Sequence, residues 1–214
     1  MLETLLRRFA RFVTNRVVAR PAAWRILRPL FRRQWDHLAA TWEASRRPDS
    51  FDPIKAALNL LPAPPGRALD VGTGTGGAAF TIAARFPDAK VVGVDLSSEM
   101  VDRARSKVIG PFAGRLSFQQ ADASSLPFPQ ENFDLVTHSN MIPFFDETAR
   151  VLRPGGHAIY AFSSGAETPI YVPLDRLQGE LQKRGFTEFA RSSAGRGMAL
   201  VARKGPAAIP QSAI

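Results

Sequence analysis

The sequence predicts an open α/β sheet, mostly parallel, with an antiparallel last strand, helices on both faces and a basic helical extension in front. Three observations carry this. From Arg67 onward, apolar runs of strand length alternate with helical stretches, the pattern of crossover units in a parallel sheet. The last two strand-like runs are joined only by Ala194-Gly195-Arg196-Gly197, too short a link for a crossover, so they pair antiparallel. The chain has 214 residues, 45% of them apolar, and no cysteine, which suits one sizeable core without disulfides.

In order along the chain, Leu2, Leu5, Leu6, Phe9, Phe12, Val13 and Val17 recur at helical spacing, with Arg7, Arg8, Arg11 and Arg16 between them. Pro21 ends that helix. A second run carries Trp24, Leu27, Phe31, Trp35, Leu38 and Trp42, and Pro29 is expected to bend it. Residues 46–52 read as a linker, 53–61 as a short helix, and 62–66 as the lead into the sheet. Strands are expected at 67–71, 90–94, 116–121, 133–138 and 157–162. Helices are expected at 76–85, 98–107 and 146–152, the last stopped by Pro154-Gly155-Gly156. A loop at 163–172 leads to a helix opened by Pro173. Strands at 186–192 and 197–203 complete a seven-stranded sheet. The division is an extension at 1–50, a body at 51–204 and a frayed tail at 205–214.

Composition excludes several chemistries. Without cysteine there is no thiol nucleophile, thiolate metal site or cysteine-held iron–sulfur cluster. Three scattered histidines do not suggest a metal site. No uncharged apolar run approaches membrane-spanning length, so a cytoplasmic location is expected. Residues 1–50 hold eleven arginines and four acids, whereas 51–214 hold seventeen basic residues and fifteen acids. The basicity therefore belongs to the extension, and the nearly balanced body argues against a nucleic-acid face.

The stretch "ALDVGTGTGG" sets four glycines at the end of the first strand, opening a helix. Glycines there let a ligand touch bare backbone beside free N–H groups, at the sheet edge where α/β ligands sit. Gly72, Gly74 and Gly77 satisfy a dinucleotide fingerprint, and Asp95 follows Gly72 by 23 residues. Against that reading, Asp70 would repel a pyrophosphate. Asp122 adds a third acid at the end of strand three. Acids ending three successive strands suit a ligand with an ammonium group, a ribose and an adenine amine.

This pattern resembles the class I S-adenosylmethionine-dependent methyltransferases, of Rossmann-like fold, and particularly the methyltransferase type 11-like group that includes the quinone-biosynthesis enzymes. The matching stretches are "ALDVGTGTG", "VVGVDLSSEMVDRAR", "FQQADASSLPFPQENFDLV" and "ARVLRPGG", in order over residues 67–163. The resemblance implies that Asp70, Gly72, Thr73, Gly74 and Gly76 hold the methionine part of S-adenosylmethionine. Asp95 would take both ribose hydroxyls, with Leu96 and Met100 beside the adenine. Asp122 would accept from the adenine amine next to Ala123, and Ser139 and Asn140 would face the sulfonium and acceptor. S-adenosylhomocysteine would be the product.

Methyl transfer from a sulfonium needs positioning and desolvation, and a base only for an acceptor of high pKa. No residue declares itself a base; His37 and His138 are the candidates, with Glu167 and Tyr171 on the loop after strand five. "HSNMIPFF" lacks the Asn/Asp-Pro-Pro-aromatic corner of exocyclic-amine methylation, and cytosine C5 attack would need a cysteine. The expected acceptor is a small, hydrophobic molecule, with Phe112, Phe144, Phe145, Tyr171 and the N-terminal tryptophans offering apolar surface. The alternatives are a non-catalytic module sensing S-adenosylmethionine or serving as a partner subunit and, less favoured, an NAD(P)-dependent oxidoreductase. Residues 24–42 are expected to cover the site. Residues 2–17 are expected to dock more loosely and to contact an anionic membrane or a protein partner; a transit peptide is disfavoured because no serine precedes Ser45.

Overall fold

A computed structural model describes residues 2–44 and 46–206, with side chains from Arg7 onward. Most of the expected tail, 207–214, lies outside the described residues, as do the side chains of Leu2, Leu5 and Leu6. Two helices come first: α1 (Leu2–Ala19) and α2 (Trp24–Leu38), joined by a single 3-10 turn at Pro21–Ala23. Pro29 lies inside α2 without ending it. A short helix α3 (Asp52–Leu58) follows.

The body then alternates as β1 (Arg67–Val71), α4 (Gly77–Arg85), β2 (Lys90–Asp95), α5 (Ser98–Arg105), β3 (Leu116–Gln120), β4 (Phe133–Ser139), α6 (Phe145–Val151), β5 (Leu152–Phe162), α7 (Leu174–Gln182), β6 (Phe186–Ala194) and β7 (Gly197–Lys204). The strands form one sheet in the order β3-β2-β1-β4-β5-β7-β6. β7 alone runs antiparallel, inserted between β5 and β6. The expected short helix ends within a residue of its expected end, but strand five begins at Leu152 and not at 157: Pro154-Gly155-Gly156 lie inside β5, where Leu152 already pairs with Phe133 across an irregularity in the ladder.

Side chains of the central strands alternate between two cores, as the twofold period of a strand requires. Leu69, Val71, Val136 and Tyr160 face a core shared with α1, α2, α6 and α7, through Val13, Val17, Trp24, Phe31, Val151 and Leu177. Ala68, Leu135 and Ile159 face the other, with Ile54, Ala79, Ile82 and Val101 of α3, α4 and α5. The extension is therefore part of the packed molecule. α1 is seated more firmly than the expected loose docking: Val13 and Val17 are buried, and Arg11 donates to the carbonyls of Ala166 (2.6 Å) and Thr168 (2.8 Å).

Candidate functional site

The carboxyl ends of β1, β2 and β4 meet the inner face of α2 and the segment 42–51 around a cavity of about 340 Å³. Leaving β1, the chain turns through Gly72 and Gly74 at φ 69° and 54°, the left-handed region that side chains rarely adopt. A Cβ on Gly72 would stand 2.6 Å from Met141 Sδ, and one on Gly74 3.4 Å from Trp42 Nε1. The turn demands glycine at both positions, and at Gly72 the close approach of Met141 demands it as well. Gly76, at φ 88°, has another role: it precedes α4, has the Phe118 ring against it and does not line the cavity.

Asp70 stands on β1 opposite Thr137 of β4, whose hydroxyl donates to Asp70 Oδ1 at 2.7 Å. Asp70 Oδ2 is buried with no hydrogen-bond partner, as is Thr73 Oγ1 beside it on the cavity wall. An unpartnered buried carboxylate oxygen is costly. Burial pushes the Asp70 carboxyl up to about 6, against the Thr137 hydroxyl and against the Thr73 hydroxyl and Ala79 N–H, which lie near without completing hydrogen-bond geometry; the neighbouring Asp95 adds a little to the rise. Asp95, at the end of β2, accepts from Gly74 N–H (2.8 Å) and Ser97 N–H (2.9 Å). It opens onto the cavity while the chain around it excludes bulk water. That burial raises its pKa, against the opposing N–H bonds. Ser97 caps α5 through Met100 N–H and donates to Asp36 of α2 at 2.5 Å, tying α2 to the sheet edge.

The cavity also holds cations. Arg46 lies over the rings of Phe51 (4.8 Å) and Trp42 (5.9 Å); burial lowers its pKa, with Glu43 and Asp70 opposing. Arg47 anchors its segment by donating to Ser163 O (3.1 Å) and Ser164 Oγ (3.2 Å). Asn140, at φ 51°, tolerates the left-handed region as asparagine can. Its amide and Ser163 exchange two hydrogen bonds of 2.9 Å. Much of the remaining wall is apolar, including Trp24, Phe31, Trp35, Ile142 and Ile170.

Of the residues singled out in the sequence, Asp70, Gly72, Thr73, Gly74, Asp95, Leu96, Met100, Ala123, Ser139 and Asn140 line this cavity together. Asp122 does not. Its Oδ1 accepts from Trp24 Nε1 (2.9 Å) and Ser124 N–H (2.9 Å), and its Oδ2 from Arg28 (2.8 Å). Burial pushes its pKa up, but these bonds outweigh that and hold the carboxyl below its ordinary value. In this structure Asp122 latches α2 down. His138 is also displaced from the expected role. The strand period turns it to the face opposite Asp70, into the core against Tyr160, with ring centroids 4.5 Å apart. There it bonds Thr148 Oγ1 at 2.9 Å, and burial lowers its pKa to about 3. His37 is exposed on α2 and does not line the cavity. Glu167 pairs with Arg7, Tyr171 packs on Phe162, Phe112 packs on Phe80, and Phe144 and Phe145 are core.

Sequence reasoning missed Arg46, Arg47, Phe51 and Met141. The segment 46–52 has no periodicity and read as a linker; its contacts run to residues more than a hundred positions away, such as Ser163 and Ser164. The available signal was a pair of arginines next to the lid tryptophans.

Known proteins resemble this chain in sequence and in fold. Residues 68–156 match a methyltransferase domain. A ubiquinone/menaquinone biosynthesis C-methyltransferase (UbiE) of Syntrophotalea carbinolica is 36% identical over 161 residues, covering 70% of this chain and 66% of that protein. A fatty-acid O-methyltransferase of Mycolicibacterium smegmatis is 44% identical over 103 residues, 44% of this chain and 36% of that protein. The chain thus spans roughly a third to two thirds of these relatives' length. The crystal structure of a SAM-dependent methyltransferase from Aquifex aeolicus superposes with a TM-score of 0.65 at 18% identity, covering 77% of this chain and 97% of that one, which establishes a common fold.

Proposed function

Because the chain carries a class I S-adenosylmethionine-dependent methyltransferase domain, we propose that it binds S-adenosylmethionine in this cavity and methylates a small hydrophobic acceptor. The observation that carries this reading is the buried, partnerless oxygen of Asp70 beside the bare glycine turn. Asp70 would meet the ammonium group of the cofactor, and Arg46 its carboxylate. Asp95 keeps acceptor capacity beyond its two N–H bonds and would take the ribose hydroxyls. Leu96, Met100 and Ala123 would flank the base. When bound, S-adenosylmethionine supplies a methyl group on a sulfonium. The surrounding residues orient and desolvate; α2 and Arg46–Phe51 exclude water.

The ionisable side chains on the wall are Asp70, Asp95, Arg46 and Arg47, and His138 is turned away. This favours a carboxylic acid, already ionised at neutral pH, over a phenol of the quinol type, whose proton leaves at a pKa of about 10. The relatives' names point to the same two classes. With both carboxylates of the described wall assigned to the cofactor, the cavity also suits a second reading, a module that binds S-adenosylmethionine without catalysis.

A thermal-shift screen tests the binding half: S-adenosylmethionine and S-adenosylhomocysteine should raise the melting temperature and NAD should not. Asp95→Ala should cost roughly 2–3 kcal/mol of S-adenosylhomocysteine affinity. Transfer of labelled methyl to a quinol or a fatty acid then separates enzyme from sensor. No shift with either adenosyl ligand would end the proposal.

A further inference from the structure

Among the described residues, six large apolar side chains are strongly exposed, and four of them lie on the first two helices: Phe9 (54%), Phe12 (67%), Ile26 (83%) and Leu30 (59%). Isolated exposed apolar residues are ordinary. These four differ in their setting. At about 100° per residue, Phe12 stands away from the stripe of Val13, Thr14 and Val17 that α1 buries, and Phe9 borders that stripe on the side toward Phe12. Ile26 and Leu30 stand opposite Trp24 and Phe31, which α2 buries. Both buried faces enter the same core, so both apolar outer faces point away from the body.

The charge on those faces is of one sign. Arg8, Arg16, Arg20, Arg25, Arg32 and Arg33 are exposed, and no acid lies between Glu3 and Asp36. Among the described residues of α1 and α2, the arginines in ion pairs are Arg7 and Arg28, with Glu167 and Asp122 of the body. The outward arginines are uncompensated. Large aliphatic and aromatic side chains set among arginines match an interface with apolar depth and anionic headgroups, whose acyl region takes the side chains while guanidinium groups reach the phosphates. A nucleic acid matches the arginines but gives Ile26 and Leu30 nothing to contact.

We propose that the outer faces of α1 and α2 together form a docking surface for an anionic lipid bilayer. The surface reaches beyond the first helix to α2, whose inner side walls the cavity through Trp24, Phe31 and Trp35. The proposal does not depend on what the cavity binds.

The test is co-sedimentation of the full chain with phosphatidylcholine vesicles containing 0 or 30 mol% phosphatidylglycerol. Binding should require phosphatidylglycerol at 50 mM NaCl and weaken several-fold at 300 mM. Phe9→Ser/Phe12→Ser/Ile26→Ser/Leu30→Ser should bind tenfold or more weakly with a melt lowered by only a few degrees, since more than half of each residue's surface is already in solvent. Arg25→Glu/Arg32→Glu/Arg33→Glu should lose the phosphatidylglycerol dependence. Three results would overturn the proposal: no binding at low salt, binding indifferent to the serine variant, or a self-associating chain whose dimer is broken by the serine variant while vesicles are ignored. Tighter binding to a DNA or RNA duplex, unaffected by the serine variant, would assign the face to nucleic acid instead.

Discussion

Asp70 places a proton equilibrium inside the cavity. Its carboxyl is raised from 3.8 to about 6, chiefly by burial. A raised carboxyl favours the folded state at low pH; that contribution is complete below about 3.8 and is lost as pH rises through about 6. Above pH 6 the ionised Asp70 is a cost to the empty protein and an attraction for a cationic ligand. Affinity for S-adenosylhomocysteine should therefore climb from pH 5 to 7.5, approaching tenfold per unit below the Asp70 pKa. Asp70→Asn should abolish that slope and weaken binding, yet stabilise the ligand-free protein by about 1–3 kcal/mol at pH 7.5. Titration calorimetry and urea unfolding of both proteins check this; a flat wild-type profile would show that Asp70 does not change ionisation on binding.

Among the elements, α2 carries the heaviest duty. Trp24 is buried in the core, packs its ring 5.4 Å from Phe31 and 5.5 Å from Phe144, and donates to Asp122. Trp24→Ala should cost about 3–5 kcal/mol of unfolding free energy from the lost packing. Trp24→Phe keeps most of the packing and should cost about 1 kcal/mol, since Ser124 N–H still serves the same oxygen. Equilibrium unfolding in urea separates the two. The helix itself was plain in the sequence, because Trp24, Phe31 and Trp35 repeat at its period. Its latch was not: Asp122 read as a ligand contact, and nothing local tells an aspartate whether a ligand or a tryptophan will reach it first. The strands were legible for a similar reason. Continuous apolar runs bounded by Gly and Asp mark β1 and β2, but β4 is buried on both faces, so its pattern cannot say to which side His138 points. Arg46 was invisible because Asp70 lies on β1, 24 residues further along the chain, and because Trp42 and Phe51, though near in sequence, form no periodic pattern around it.

At the scale of the molecule, the extension divides into a prop and a wall. Among the described residues, none of α1 lines the cavity, whereas Trp24, Phe31, Trp35 and Trp42 do. Removing residues 1–20 should lower the melting temperature through loss of Val13 and Val17 from the core, yet leave S-adenosylhomocysteine affinity within a few-fold. Removing residues 1–45 should abolish binding. Scanning calorimetry and ligand titration check both; lost binding in the shorter deletion would make α1 part of the wall. The seats of α1 have a consequence for how the chain comes together. Arg7 meets Glu167, Arg11 meets the carbonyls of Ala166 and Thr168, and Arg176 of α7 donates to Asn15. All of these partners belong to the last quarter of the sequence. During synthesis α1 emerges long before these partners, with its arginines and aromatic side chains, whereas α2 finds Ser97 and Asp122 by mid-chain. In refolding followed by pulsed hydrogen exchange, amides of β1 and β4 should gain protection before those of α1. A helix made so long before its seat at 166–176 has to wait for it, and until then its apolar stripe needs a temporary host.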